Sequence, residues 1–158
     1  MRNLRGIATA ALCAAVAIGC SGTSPDASQG SGPTDAAAPA EVRHDIAGLV
    51  EVFPGVGAPE SVAWLQWGEP ADGGMAVRWT DAVVRLNPAV ADAMAAQFEP
   101  TDTGRRPQVQ DALSAEIPAG PFLTGELLDA GFSSDSTSTY AFLDRGQATL
   151  VLQATSIG

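Results

Sequence analysis

Apolar and polar positions alternate most clearly near the C-terminus. Thr139-Tyr140-Ala141-Phe142-Leu143 runs into the turn residues Asp144-Arg145-Gly146-Gln147, and Leu150 and Leu152 then alternate with Thr149, Val151 and Gln153. This is the signature of a β-hairpin. A second hairpin is predicted upstream. Ala63, Leu65 and Trp67 alternate with Val62, Trp64 and Gln66, the stretch from Gly68 to Gly74 is dense in turn residues, and Met75, Val77 and Trp79 alternate with Ala76, Arg78 and Thr80. After Thr80 the apolar set moves to the even positions Ala82, Val84 and Leu86. A one-residue slip of that kind predicts a bulge near Thr80-Asp81 or two separate short strands.

Helical spacing fills the remainder. Ile46, Leu49, Val50 and Phe53 fall at i, i+3, i+4 and i+7 and are closed by Pro54-Gly55. Asn87-Pro88 supplies a cap and a first-turn proline for a helix carrying Val90, Met94 and Phe98 on one face and ending at Pro100. Beyond a polar loop from Thr101 to Pro107, Val109, Ala112 or Leu113, and Ile117 form a further helical stripe that stops before Pro118. Pro118-Ala119-Gly120-Pro121 is a stiff connector, and Thr124 to Leu128 suits one more helical turn. Two hairpins flanking a helical middle predict an α+β domain: an antiparallel sheet of about four strands with helices packed on one face.

Ahead of this domain the chain changes character twice. Arg2 and Arg5 precede fourteen uncharged residues, Gly6 to Gly19. A bilayer crossing takes about 20 apolar residues, so this segment reads as a secretory leader rather than a membrane span. Its end, Ala17-Ile18-Gly19-Cys20 followed by Ser21-Gly22, resembles the lipobox of bacterial lipoproteins, with Ala17 where that family prefers Leu. The resemblance implies cleavage before Cys20, a diacylglyceryl thioether on that cysteine, and residence at the extracytoplasmic face of the cell membrane. The run from Arg78 to Pro88 is similar to passages in secreted bacterial proteins and implies no activity. Ser21 to Ala40 holds no aromatic residue and no aliphatic one larger than Ala. With nothing to bury, it is expected to be a disordered tether spanning roughly 25 Å. The expected organisation is therefore a signal peptide (1–19), the lipidated Cys20 with its tether (20–42) and one α+β domain (43–158).

Composition sharpens this. Among 158 residues the eight positive charges are all arginine, set against 18 Asp+Glu. The missing lysine excludes Schiff-base chemistry and a phosphate-loop lysine. Removal of the leader leaves six arginines against eighteen acids, a net charge of −12. Such a surface repels nucleic acid and anionic lipid, so the lipid anchor is the expected route to the membrane. Of the two cysteines, Cys13 would leave with the leader. No disulfide, thiolate nucleophile or zinc–thiolate site then remains, and the fold must stand on its core.

Candidate chemistry is sparse. His44 is the only histidine and lies where tether meets domain, an unpromising place for a catalytic cleft. Asp102-Thr103-Gly104 matches the aspartic-peptidase triplet, yet its neighbours Thr101, Arg105 and Arg106 are polar, whereas a shared proton needs a desolvated site. The acids are scattered, with no spacing that selects a glycosidase pair. Ser133 to Thr139 reads as a flexible approach to the third strand. Strand parity puts Trp64 opposite Trp67 and Trp79. With the latter two facing the core, Trp64 faces outward as a platform for a glycan, a peptide or an envelope protein; alternatively helices cover that face and all three are core. The expected function is a lipid-anchored, extracytoplasmic binding or interaction module with no catalytic residue, cofactor or metal. A small envelope hydrolase using two carboxylates is the alternative, and a purely structural role in a membrane complex is the third reading.

Overall fold

The computed structural model describes residues 40–68 and 74–158. The expected leader, the lipobox-like stretch with Cys20, nearly all of the expected tether and most of the first hairpin turn lie outside the described residues. In chain order the elements are α1 (Ile46–Val52), β1 (Ser61–Gly68), β2 (Val77–Arg85), α2 (Pro88–Phe98), β3 (Thr101–Asp102), β4 (Leu123–Thr124), α3 (Glu126–Gly131), β5 (Thr137–Asp144) and β6 (Thr149–Ile157). Short 3-10 helices occupy Pro54–Val56 and Asp111–Glu116.

The fold is mixed α+β, built on an antiparallel sheet of six strands rather than four, in the order β1-β2-β6-β5-β4-β3. The four long strands are those of the two hairpins. The additional two have only two residues each, too few to show any periodicity in the sequence. They pair because the chain leaving α2 and the chain entering α3 are laid side by side next to β5, where Leu123 opposes Leu143.

The change of parity after Thr80 is not a bulge. The register of β2 against β1 is unbroken from Ser61↔Arg85 to Gly68↔Arg78, and against β6 from Val77↔Ile157 to Arg85↔Thr149. Ala82, Val83 and Val84 are all buried because this end of the sheet is covered on both sides. A strand buried on both faces reads as a continuous apolar run, in which parity carries little information.

The helices cover one face. Leu49 of α1, Ala91 and Met94 of α2, and Leu128 of α3 share a core with Val62, Trp64, Ala82, Val84, Leu143, Leu150 and Leu152. In α2 the side chain of Asn87 accepts a hydrogen bond from the Ala89 N–H at 3.0 Å, the cap its sequence predicts. The opposite face carries a second core of Ala63, Leu65, Val83, Phe142 and Val151, closed by Leu113 and Phe122. Those last two belong to a strap, residues 103–122, that crosses this face between β3 and β4. Phe122 meets Phe142 edge to face, with ring centroids 6.3 Å apart. To return beneath the strap the chain turns at Gly120, with φ +83°, where a Cβ would stand 3.0 Å from the Phe122 ring. The helix expected over Val109–Ile117 shrinks to the 3-10 turn at Asp111–Glu116. Prolines 107 and 118 bracket it, and side chains of the sheet engage the backbone at Gln108 and Gln110 before a helical ladder can start.

Candidate functional site

Alternation along the four long strands fixes what the strap-side face presents. One row across β1, β2 and β6 reads Trp67, Trp79, Thr155, and the next, continuing onto β5, reads Leu65, Asp81, Gln153, Tyr140. The strap seals the far rows and leaves these two partly uncovered. Between its edge and the sheet lies a groove of about 370 Å³ whose lining includes Trp67, Trp79, Asp81, Gln153, Tyr140 and Thr155. A neighbouring depression of about 430 Å³ shares Gln108, Tyr140 and Gln153 with it and reaches Arg105 and Arg106.

The aromatic groups are positioned by register. Trp67 and Trp79 are direct cross-strand partners, so their indoles stack, with ring centroids 6.3 Å apart and planes 21° from parallel. Both remain partly exposed. Tyr140 is 54% exposed, and the Arg105 guanidinium sits 5.1 Å above its ring and 5.7 Å from that of Phe142.

The polar floor also holds the strap. Gln153 grips the backbone of Gln108 twice, its Oε1 accepting from the N–H at 3.1 Å and its Nε2 donating to the carbonyl at 2.6 Å. Asp81 Oδ2 accepts from the Gln110 N–H at 2.8 Å. Two side chains of the sheet thus imitate a strand partner for alternate residues of an extended chain.

Asp81 is 4% exposed. Burial pushes its carboxyl above the usual carboxylate range, and the hydrogen bonds from Gln110 and the Gln153 side chain oppose that shift without cancelling it. A raised native pKa means that the native state holds this proton more tightly than the unfolded chain. The resulting stabilisation is full below the unfolded pKa and is lost as pH rises through the folded one. Asp81→Asn keeps an oxygen for the Gln110 N–H and removes the titration. Thermal midpoints of variant and wild type at pH ~4 and ~7.5 test this, and the variant should gain on wild type as pH rises. An equal difference at both pH values would show that Asp81 titrates normally.

The structure corrects one sequence-based site assignment. Trp64 is 1% exposed, beneath α1, with its Nε1 donating to the Asp45 carbonyl at 3.2 Å and the Arg43 guanidinium 3.9 Å over its ring. It is not available as a platform. Helices cover the side of the sheet that Trp64 faces, and the partly open side is that of Trp67 and Trp79. His44 donates from Nδ1 to the Val62 carbonyl at 2.9 Å and lines a separate, small cavity of about 100 Å³. Asp102 accepts from the Gly104 N–H in an exposed turn, not in the desolvated site that a shared proton needs. The Ser133–Thr139 run is tied down: Ser133 Oγ accepts from the Thr139 N–H at 3.0 Å, and Ser134 bridges Thr137.

Asp81 and Asp111 both line the groove, a juxtaposition that linear spacing could not reveal. The available signal for Asp81 was that it is the one acid in β2 and precedes the apolar run Ala82-Val83-Val84. Among the described residues no group of three or more His, Cys, Asp or Glu side chains could hold a metal ion. No helix among them is long and apolar enough to cross a membrane.

Fold and groove together define the class: an antiparallel α+β protein with an aromatic and amide-lined groove on the strap side of its sheet. No known protein family, no curated protein and no solved structure matches the chain.

Proposed function

We propose that this protein is a lipid-anchored, extracytoplasmic binding module without catalysis, whose ligand lies in the groove between the strap and the Trp67/Trp79 pair. The observation that carries the reading is that pair itself. Two stacked indoles stay partly bare on a sheet face whose far rows the strap seals, and partly exposed aromatic rings held on rigid strands are characteristic of contact sites. The anchor rests on the resemblance of Ala17 to Cys20 to a lipobox. A tether of about twenty residues would let the domain reorient while holding it near the membrane.

The second reading, a hydrolase, is favoured by Asp81 and Asp111 sharing the groove: burial raises the Asp81 carboxyl above its usual range, the direction a general acid needs, and Asp111 stands exposed at the same groove as a second carboxyl. Against it, Asp81 is already occupied in fastening the strap at Gln110.

Titrating the full chain in detergent with fractionated cell-envelope extract, while following tryptophan emission, tests the proposal. A saturable change that disappears in Trp79→Ala is expected. Flat emission with every fraction would sink the binding reading, and release of small products that stops in Asp81→Asn would replace it with the hydrolase.

A further inference from the structure

We infer that the groove takes a neutral oligosaccharide chain, with sugar rings stacked on Trp67/Trp79 and on the face of Tyr140 that Arg105 leaves open, and their hydroxyls on Gln153 and Thr155. This rests on the reading of the groove as a binding site and names the class of ligand.

The layout of the floor carries the inference. Trp67 stands on β1, Trp79 on β2, Gln153 and Thr155 on β6, and Tyr140 on β5. The aromatic platforms are therefore separated by a polar strand, and the two adjacent rows together reach across three strand spacings, roughly 14 Å. A pyranose has an apolar face of C–H groups and a rim of hydroxyls. The first fits an indole or phenol face, while the second fits the Thr155 hydroxyl and the hydrogen-bonding capacity that the strap leaves unused on the Gln153 amide. The second depression, which shares Tyr140 and Gln153 with the first, gives a chain room to continue.

Other ligands fit less well. An acyl chain would strip water from Gln108, Asp111, Gln153 and Thr155 and return no hydrogen bonds. A peptide gains its main-chain affinity by adding to a sheet edge, but the groove lies on a sheet face. The free edge at β1 already exchanges hydrogen bonds with Arg43 at Trp64, at 2.7 and 2.9 Å. A polyanion would meet a chain with 18 acids against eight cations. Arg105 is held over Tyr140 and Phe142, at the far end from the tryptophans.

The test is affinity electrophoresis of the full chain in detergent, through native gels containing a glucan, a mannan, a galactan or an arabinan, each neutral, with a polyuronate gel and a plain gel alongside. Retardation by at least one neutral polysaccharide is expected, with affinity falling about tenfold in Trp79→Ala and in Tyr140→Ala. Circular dichroism of both variants should match that of wild type. Retardation unchanged in both variants would place the sugar elsewhere and overturn the inference, as would retardation by the polyuronate alone. If no polysaccharide retards the protein while envelope extract still alters its tryptophan emission, the oligosaccharide is wrong and the binding module stands. If neither responds, both fall.

Discussion

Trp64→Ala should lower the free energy of unfolding by about 3–5 kcal/mol, the largest loss expected from any single tryptophan in this chain. The indole is 1% exposed and holds α1 onto β1 in three ways. It fills the core beside Leu49, its N–H satisfies the Asp45 carbonyl at the start of α1, and its face carries the Arg43 guanidinium, itself paired with Asp45 at 2.9 Å. The approach is close. A Cβ on Gly48 of α1 would come 3.1 Å from Trp64 Cζ2. Trp67→Ala, by contrast, removes a partly exposed ring at the open end of the sheet and should cost about 1–2 kcal/mol. Urea unfolding followed by circular dichroism measures both. A midpoint shift for Trp64→Ala no larger than that for Trp67→Ala would contradict the packing described here.

Leu113→Ala should release the strap. Leu113 is the only strap residue with 0% exposure and is the plug that the 3-10 helix drives into the strap-side core, alongside Phe122. Truncating a buried leucine costs about 2–5 kcal/mol. The interesting question is where that loss appears. The backbone of the strap is fastened to the sheet at Gln108 and Gln110 by Gln153 and Asp81, whereas β6 is held by two full-length antiparallel neighbours. The loss should therefore fall on local opening rather than on the whole domain. Hydrogen exchange at the Gln108 and Gln110 amides should accelerate by at least tenfold while the Leu150 and Leu152 amides keep their protection. Uniform acceleration at all four would mean that strap and sheet open together. The floor of the groove is built from the residues that fasten the strap, so a loosened strap should also weaken any ligand held between Trp79 and Tyr140.

Asp81 shows why the site was harder to read than the elements. Its place as the one acid in β2 was visible, but its value as a floor group depends on Gln110, twenty-nine positions away, and on Gln153, which faces it across β2 and β6. No local spacing encodes that meeting. Trp64 shows the same limit from the other side. Parity separates it correctly from Trp67 and Trp79, yet parity cannot say which side of a sheet the helices will cover. The choice depends on α1, α2 and α3 all packing on one side, leaving only the strap for the other. The continuous register through Thr80 and Asp81 is a third case, because the apparent slip came from burial on both faces and not from the backbone.

What was legible in the chain was local. Period-two alternation marked the two hairpins, the Asn87-Pro88 cap and the Pro100 stop marked α2, and the missing lysine together with the acid excess narrowed the chemistry. These features depend on neighbours a few residues apart, where backbone geometry alone sets the period. Only the tertiary structure decided the two extra strands, the buried side of Trp64, the strap and the groove beside Trp67, Trp79, Asp81 and Tyr140. The physical reason is that each arises where residues distant in sequence meet, and which faces meet is chosen by the packing of the whole core, not by the propensity of any segment.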